Sequence, residues 1–270
     1  MAPAITNPSS EDVRRIVSEL RAAFEAHVTS EARAPGRWDL QWRLKQLHGL
    51  HRMFAEHAQE FQEAARKDIG RGPSEFFLES KGIEADLALL AQGLGTWMRP
   101  ARASTPYWML PSSSCVQSEP LGVVLVLGSW NYAAVLSVLP LAGALSAGNA
   151  VVVKPSEYAP AQAEVLARYL GEYLDPDAVR VVLGDAETGR RLVDDGAWDK
   201  VFYTGGGRAG AAIGASCAAR LIPFVLELGG KSPTLVDETA NLAIMARRVV
   251  QGCVGVLQRT TARRRTDPPP

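Results

Sequence analysis

The sequence predicts an α/β protein built on a doubly wound parallel sheet, and three observations predict it. Two unbroken apolar runs rich in valine, 123–127 and 150–153, have the length and composition of strands buried on both faces. The residues between them, 135–147, are rich in Ala, Leu and Gly and long enough for the crossover helix that a parallel pair requires. Beyond residue 157, strand-like and helix-like segments keep alternating. Sheets of this kind bind ligands outside the carboxyl ends of their strands. Asn131 follows the first run, and Lys154 and Glu157 follow the second.

In chain order, Ser9-Ser10-Glu11-Asp12 supplies hydroxyl caps and first-turn acids, and Val13, Ile16, Leu20 and Phe24 follow at helical spacing. Pro35-Gly36 breaks this helix. Leu40, Leu44, Leu47, His51 and Phe54 mark a second helix running towards residue 65. Gly70-Arg71-Gly72-Pro73 ends it, and a third helix starts at Ser74 and turns Phe77, Ile83, Leu87, Leu90 and Leu94 inward. Residues 1–99 therefore read as a helical layer. Residues 100–119 read as a Pro- and Ser-rich connector with Trp108 and Met109 laid on the surface. Residues 120–252 carry the sheet: helix 160–173, strand 179–183, helix 186–195, strand 200–203, helix 211–219, strand 223–226, a sixth short strand at 234–236 and a helix over 241–251. Residues 253–270 read as an aberrant, disordered tail.

Composition bounds the function. Basic and acidic residues number 29 each, which gives no global attraction to nucleic acid or acidic membranes. Cys115, Cys217 and Cys253 lie far apart without metal spacing, which suits a reduced, intracellular protein. The amino terminus lacks a basic region followed by an apolar stretch, so no signal peptide is expected. All four histidines precede residue 58, leaving no base for a Ser-His-Asp hydrolase in the sheet region. His48 and His51 stand three apart on a helix but lack a third ligand at suitable spacing, and no metal site is expected.

Few residues are placed for chemistry. Thr204–Gly210 is a strand end, a glycine-rich turn and a helix start, an arrangement that offers backbone amides to a pyrophosphate. Its Gly-x-x-x-x-Gly spacing between Gly205 and Gly210 matches neither the usual dinucleotide fingerprint nor a nucleoside-triphosphate loop, so a plain tight turn stays open. The Asn131 amide can donate to a developing oxyanion or can simply be a turn asparagine. Glu227, closing an apolar strand before two glycines, suits a general base in a partly dry cleft, or a carboxylate satisfied by nearby amides. Lys154 and Glu157 can hold ribose hydroxyls or be a surface lysine and a helix-starting glutamate. Cys115 and Cys217 read as inert thiols.

Taken together, the motifs resemble the aldehyde dehydrogenase superfamily, most closely its class 3 (fatty and aromatic aldehyde) branch. They are Pro120-Leu-Gly-Val-Val, Trp130-Asn131-Tyr132, Gly148-Asn149-Ala150 to Lys154-Pro155-Ser156-Glu157, Tyr203-Thr204-Gly205, and Glu227-Leu228-Gly229-Gly230-Lys231-Ser232-Pro233. The likeness runs from about Glu11 to Gly252 and implies NAD- or NADP-dependent oxidation of an aldehyde to a carboxylic acid, with a Rossmann-like cofactor domain. It implies Asn131 as oxyanion donor and Glu227 as general base. It further implies Lys154 and Glu157 at the adenosine ribose, and Gly205, Gly206 and Gly210 at the pyrophosphate. Trp130, Gly207, Arg208, Ala209, Leu228 and Gly229 complete the implied cofactor set. The small-molecule partner is an aldehyde. Family members form homo-oligomers, and the oligomerising arm, the membrane-attaching tail and most of the catalytic domain are expected to be missing here.

One departure is serious. The family's nucleophile sits in a Gly-Gln-Thr-Cys motif about 34 residues past the glutamate, where this sequence has Thr261. Cys253, eight residues earlier, lacks the flanking motif. The chain is thus expected not to complete the reaction, and a non-catalytic nucleotide- or partner-binding fragment is the rival reading. A product with no stable function is a further rival. Thr260-Thr261-Ala262-Arg263 can be encoded so that a two-nucleotide shift reads Asn-Gly-Gln, which points to a frameshift near Gly252. One alternate frame of the coding DNA past Gly252 is therefore expected to encode a Gly-Gln-Thr-Cys-like run. Its absence from both alternate frames would remove the frameshift reading.

Overall fold

The computed structural model describes residues 4–28, 38–231 and 233–254, the last four by their backbone alone. The break at Pro35-Gly36, Ser232, the Cys253 side chain and the tail past residue 254 lie outside the described residues. The elements run β1 (Ile5–Thr6), α1 (Ser10–Val28), α2 (Leu40–Ile69), α3 (Pro73–Trp97), β2 (Ala101–Ala103), β3 (Ser114–Val116), β4 (Val123–Leu127), α4 (Ala133–Ser146), β5 (Ala150–Lys154), α5 (Pro160–Tyr173), β6 (Val179–Leu183), α6 (Ala186–Asp195), β7 (Lys200–Gly205), α7 (Gly207–Ala219), β8 (Phe224–Leu228) and α8 (Leu242–Val254).

Six strands form one parallel sheet in the order β1-β6-β5-β4-β7-β8. The chain winds outward from β4 through β5 to β6, then returns to lay β7 on the other side of β4. Right-handed crossovers then put α4 and α5 on one face and α6 and α7 on the other. The first three helices serve both faces: α1 packs on β4, β5 and α6, whereas α2 and α3 pack on α4, and α2 also on α5. This double cover explains why every residue of β4 and β5 is buried and why their sequence is continuously apolar rather than alternating.

Local signals set the long helices. The Asp39 carboxylate caps α2 by accepting from the Trp42 amide at 2.9 Å. Gly70, left-handed at φ 69°, ends it, with Arg66 and Lys67 in the last turn. Pro73 opens α3, where its missing amide costs nothing. At the amino edge of the sheet, Asp199 accepts from the Val123 amide at 2.7 Å and pairs with Arg21 of α1 at 2.8 Å. Asn149 accepts from the amides of Leu121 and Gly122 and donates to the Ala144 carbonyl. The start of β4 is thereby tied to α1, β7 and the end of α4.

Four expectations need correction. Phe77 of α3 does not turn inward but is 58% exposed, and its neighbour Phe76 takes the core position; within the connector, where Trp108 and Met109 are exposed, β2 and β3 pair antiparallel. No strand forms at 234–236; the sixth strand is β1, paired with β6. Helix α7 starts at Gly207 rather than at residue 211, so the glycine-rich run is its first turn. Strand β8 extends through Leu228, which places Glu227 inside it.

Gly49 shows how closely α2 lies on α5. A methyl group there would stand 2.6 Å from the Tyr173 carbonyl oxygen, a backbone atom that cannot rotate away. In a free helix, Gly→Ala stabilises by about 1 kcal/mol. Gly49→Ala is expected to destabilise instead, by about 1–3 kcal/mol, read from the midpoint of urea unfolding.

Candidate functional site

Strand order reverses between β4 and β7, and open α/β sheets take their ligands in the crevice outside the carboxyl ends at such a point. The registers put Lys154, Leu127, Tyr203 and Leu226 on one row across β5, β4, β7 and β8. Glu227 lies on the next row beside Thr204, two strand spacings from the β4 column, or about 10 Å. The loop 128–132 leaves β4 tightly: a methyl group on Gly128 would meet the buried Ser137 Oγ at 2.4 Å.

Within this edge some of the anticipated residues come together. The buried Lys154 Nζ reaches Glu157 at 2.9 Å and the Pro155 carbonyl at 3.2 Å. Tyr203 links this pair to the glycine turn. Its hydroxyl donates to the Gly206 carbonyl at 3.3 Å, and burial, followed by the charge of Glu157, pushes its phenol up from the ordinary range. Gly210 is closed in by Leu228 and Tyr203. Gly206, Gly207, Arg208 and Ala209 are exposed at the start of α7, and added methyl groups on Gly206 or Gly207 would meet nothing within 4 Å.

Asn131 and Glu227 differ in setting. Asn131 is half-buried, and its Oδ1 is buried without a hydrogen-bond partner in the protein. Thr204 Oγ1, on the neighbouring strand, is in the same condition. Glu227 is solvent-exposed, as are Leu228 and Gly229, so the partly dry setting expected for Glu227 is not formed among the described residues. Edge strand β8 has helix α7 against it and, among the described residues, no further strand beyond it. Trp130 is half-buried in the loop beside Asn131. Of the described cysteines, Cys115 is exposed on the hairpin and Cys217 is buried in α7. Burial pushes the Cys217 thiol up, away from the reactive thiolate.

Sequence reasoning missed the groups that hold these loops. Crossover helices α4, α5, α6 and α7 all start at this edge, and each presents unpaired amides there. The Asp68 carboxylate, near the end of α2, accepts from the Ala161 and Gln162 amides of α5 at 3.0 and 2.9 Å. Glu79 of α3 accepts from the Val135 amide of α4 at 3.4 Å. Asp185 caps α6 through the Thr188 amide at 2.9 Å. Helix α7 has Gly206 at its cap position and no side-chain cap. Asp185 was legible as a local cap. Asp68 and Glu79 act on helices more than 50 residues away, and no local pattern marks them.

Comparison with known proteins gives a consistent result. The profile described as "Aldehyde dehydrogenase family" matches residues 3–265. Aldehyde dehydrogenase family 3 member H1 of Arabidopsis thaliana is 42% identical over 244 residues, covering 90% of this chain and 49% of that protein. The chloroplastic family 3 member I1 of the same plant is 40% identical, covering 92% and 45%. Among solved structures, a substrate-bound Staphylococcus aureus AldH superimposes with a TM-score of 0.79 at 29% identity, covering 92% of this chain and 52% of that one. A Mycobacterium tuberculosis aldehyde dehydrogenase complexed with NAD+ gives 0.77 at 28%, covering 94% and 51%. The chain spans about half the length of the curated relatives it matches.

Removing the Asp68 carboxylate frees two helix-start amides that are partly buried. Asp68→Ala is expected to cost about 1 kcal/mol, the usual loss for a cap, and Asp68→Asn less, because one acceptor oxygen remains. Urea unfolding of the two variants against the parent checks the order.

Proposed function

The chain belongs to the aldehyde dehydrogenase family, and from that premise we propose that it is the cofactor-holding half of an NAD- or NADP-dependent enzyme that oxidises an aldehyde to a carboxylic acid. The observation that carries the reading is the start of α7. At the edge where α4, α5 and α6 are capped by carboxylates, α7 has no side-chain cap among the described residues, and its start stands beside open space at the point of strand reversal. Free amides and the positive end of the helix dipole suit a pyrophosphate.

The residues present fit a dinucleotide. Lys154 offers a cation and Glu157 an acceptor at one place, matching a ribose with its hydroxyls. Asn131 Oδ1 and Thr204 Oγ1 are buried polar atoms without a protein partner beside the same edge. When bound, the nicotinamide supplies the acceptor for the aldehyde's hydride. The chain's own residues orient and stabilise: the Asn131 amide donates to the oxygen that gains charge during attack on the aldehyde, and Glu227 takes a proton from the hydrolytic water. Attack itself needs a thiolate, and neither Cys115 nor Cys217 lies at this edge. We therefore read these 270 residues as binding cofactor without turnover. A cytoplasmic location belongs to the same reading and is supported by Cys115 and Cys217 standing free.

Calorimetric titration with NAD tests the site. Gly206→Asp places a carboxylate at the cap position, which has the extended backbone a cap needs (φ −73°, ψ 145°) and clear space around it. The variant is expected to gain a few tenths of a kcal/mol in stability. It is also expected to bind NAD at least tenfold more weakly, about 1.4 kcal/mol, because its side chain takes the amides the phosphates need. Undiminished affinity in a folded variant would refute the assignment of α7. With aldehyde and NAD, the parent chain is expected to show no rise in reduced-cofactor absorbance; turnover abolished by Cys253→Ala would overturn that part.

A further inference from the structure

Arg71 sits between α2 and α3, 1% exposed, and forms an ion pair with Glu79, whose side chain is 2% exposed. Three bonds run from this pair to one short segment. Arg71 Nη2 donates to the Asn131 carbonyl at 2.8 Å. The guanidinium carbon stands 4.1 Å from the centroid of the Tyr132 ring. Glu79 Oε1 accepts from the Val135 amide at 3.4 Å. The pair thus grips the carbonyl of Asn131, the ring of Tyr132 and the amide of Val135, in the β4–α4 loop and the first turn of α4.

We propose that Arg71 and Glu79 are positioning residues that aim the Asn131 carboxamide into the crevice at the carboxyl edge. The proposal rests on the reading of Asn131 as the oxyanion donor. Asn131 Oδ1 has no protein partner, so the side chain is not oriented by its own contacts. Its direction is inherited from the backbone, and the backbone carbonyl is held by Arg71. Packing alone does not account for the pair. Desolvating two charges is costly, and apolar residues of similar volume commonly fill such a site with equal or greater stability. What apolar residues cannot do is hold a loop carbonyl and a helix amide together. The guanidinium suits the task because its fork serves Glu79 and Asn131 at once while its face covers Tyr132; an ammonium offers one point. Because the two charges cancel, the device orients Asn131 without adding net charge beside the reacting oxygen.

The chain has four asparagines, Asn7, Asn131, Asn149 and Asn241, so asparagine-selective 15N labelling gives four side-chain amide pairs in the NMR spectrum. Asn149, bonded at the amino edge, is an internal control. The double variant Arg71→Met with Glu79→Leu removes both charges together and leaves neither uncompensated. It is expected to unfold near the parent's midpoint, to shift and broaden the Asn131 pair, and to leave Asn149 unmoved. Backbone amide exchange over residues 133–136 is expected to rise at least tenfold, with β5 unchanged. Arg71→Lys is expected to show the same changes at smaller amplitude. It also decides the matter should the double variant fail to fold, since it retains the ion pair. An Asn131 pair and exchange rates like the parent's in a folded variant would overturn the proposal. None of these readouts requires cofactor, so failure of the cofactor reading would appear separately, as absent NAD binding by the parent chain.

Discussion

A parallel sheet wound in both directions brings the starts of its crossover helices to one edge, and unpaired backbone amides cannot be left without partners inside a protein. That constraint organises this molecule. Helices α4 and α5 receive carboxylates from outside the sheet region, Glu79 and Asp68, both carried by the amino-terminal helices. Helix α6 supplies its own, Asp185. The amino-terminal helices therefore do more than cover apolar surface. Through α2 and α3 they close the starts of α4 and α5, while the start of α7 carries no side-chain cap.

The two edges of the sheet divide the work. At the amino edge, Asp199, Arg21 and Asn149 form a closed set of bonds among α1, β4, β7 and the end of α4. Charge and amide are matched there within the protein. At the carboxyl edge the matching is incomplete: Asn131 Oδ1 and Thr204 Oγ1 lack partners, and the amides at Gly206–Ala209 face open space. Unsatisfied polar groups cost stability, and these two side-chain atoms lie close to the point of strand reversal.

The Arg71–Glu79 pair joins these themes. Glu79 caps α4, Arg71 neutralises Glu79 and holds Asn131, and both come from the segment that also ends α2 and begins α3. Gly70 and Pro73 set the turn that delivers Arg71 inward. A helix break that looks like simple punctuation in the sequence is, in the fold, the anchor of the loop on which the proposed chemistry depends.

The sequence by itself determined the buried parallel strands and their crossovers. The apolar runs at β4, β5 and β6, and the periodic helices α5 and α6, carry their structure in local pattern, because burial on both faces demands continuous apolar residues. Asn131, Lys154, Glu157 and Gly205–Gly210 stood out as candidates because they follow apolar strands directly, and the fold places them at the carboxyl ends of β4, β5 and β7. Only the tertiary structure decided the rest. Strand β1 is two residues with no period of their own, and they become a strand because the edge of β6 is free to pair. The hairpin β2–β3 exists through cross-strand bonds that composition does not announce. Glu227 is exposed because nothing described lies beyond the outer edge of β8. The roles of Asp68, Arg71 and Glu79 depend on helix starts more than 50 residues away, and a bond between distant residues leaves no trace in the residues beside either one.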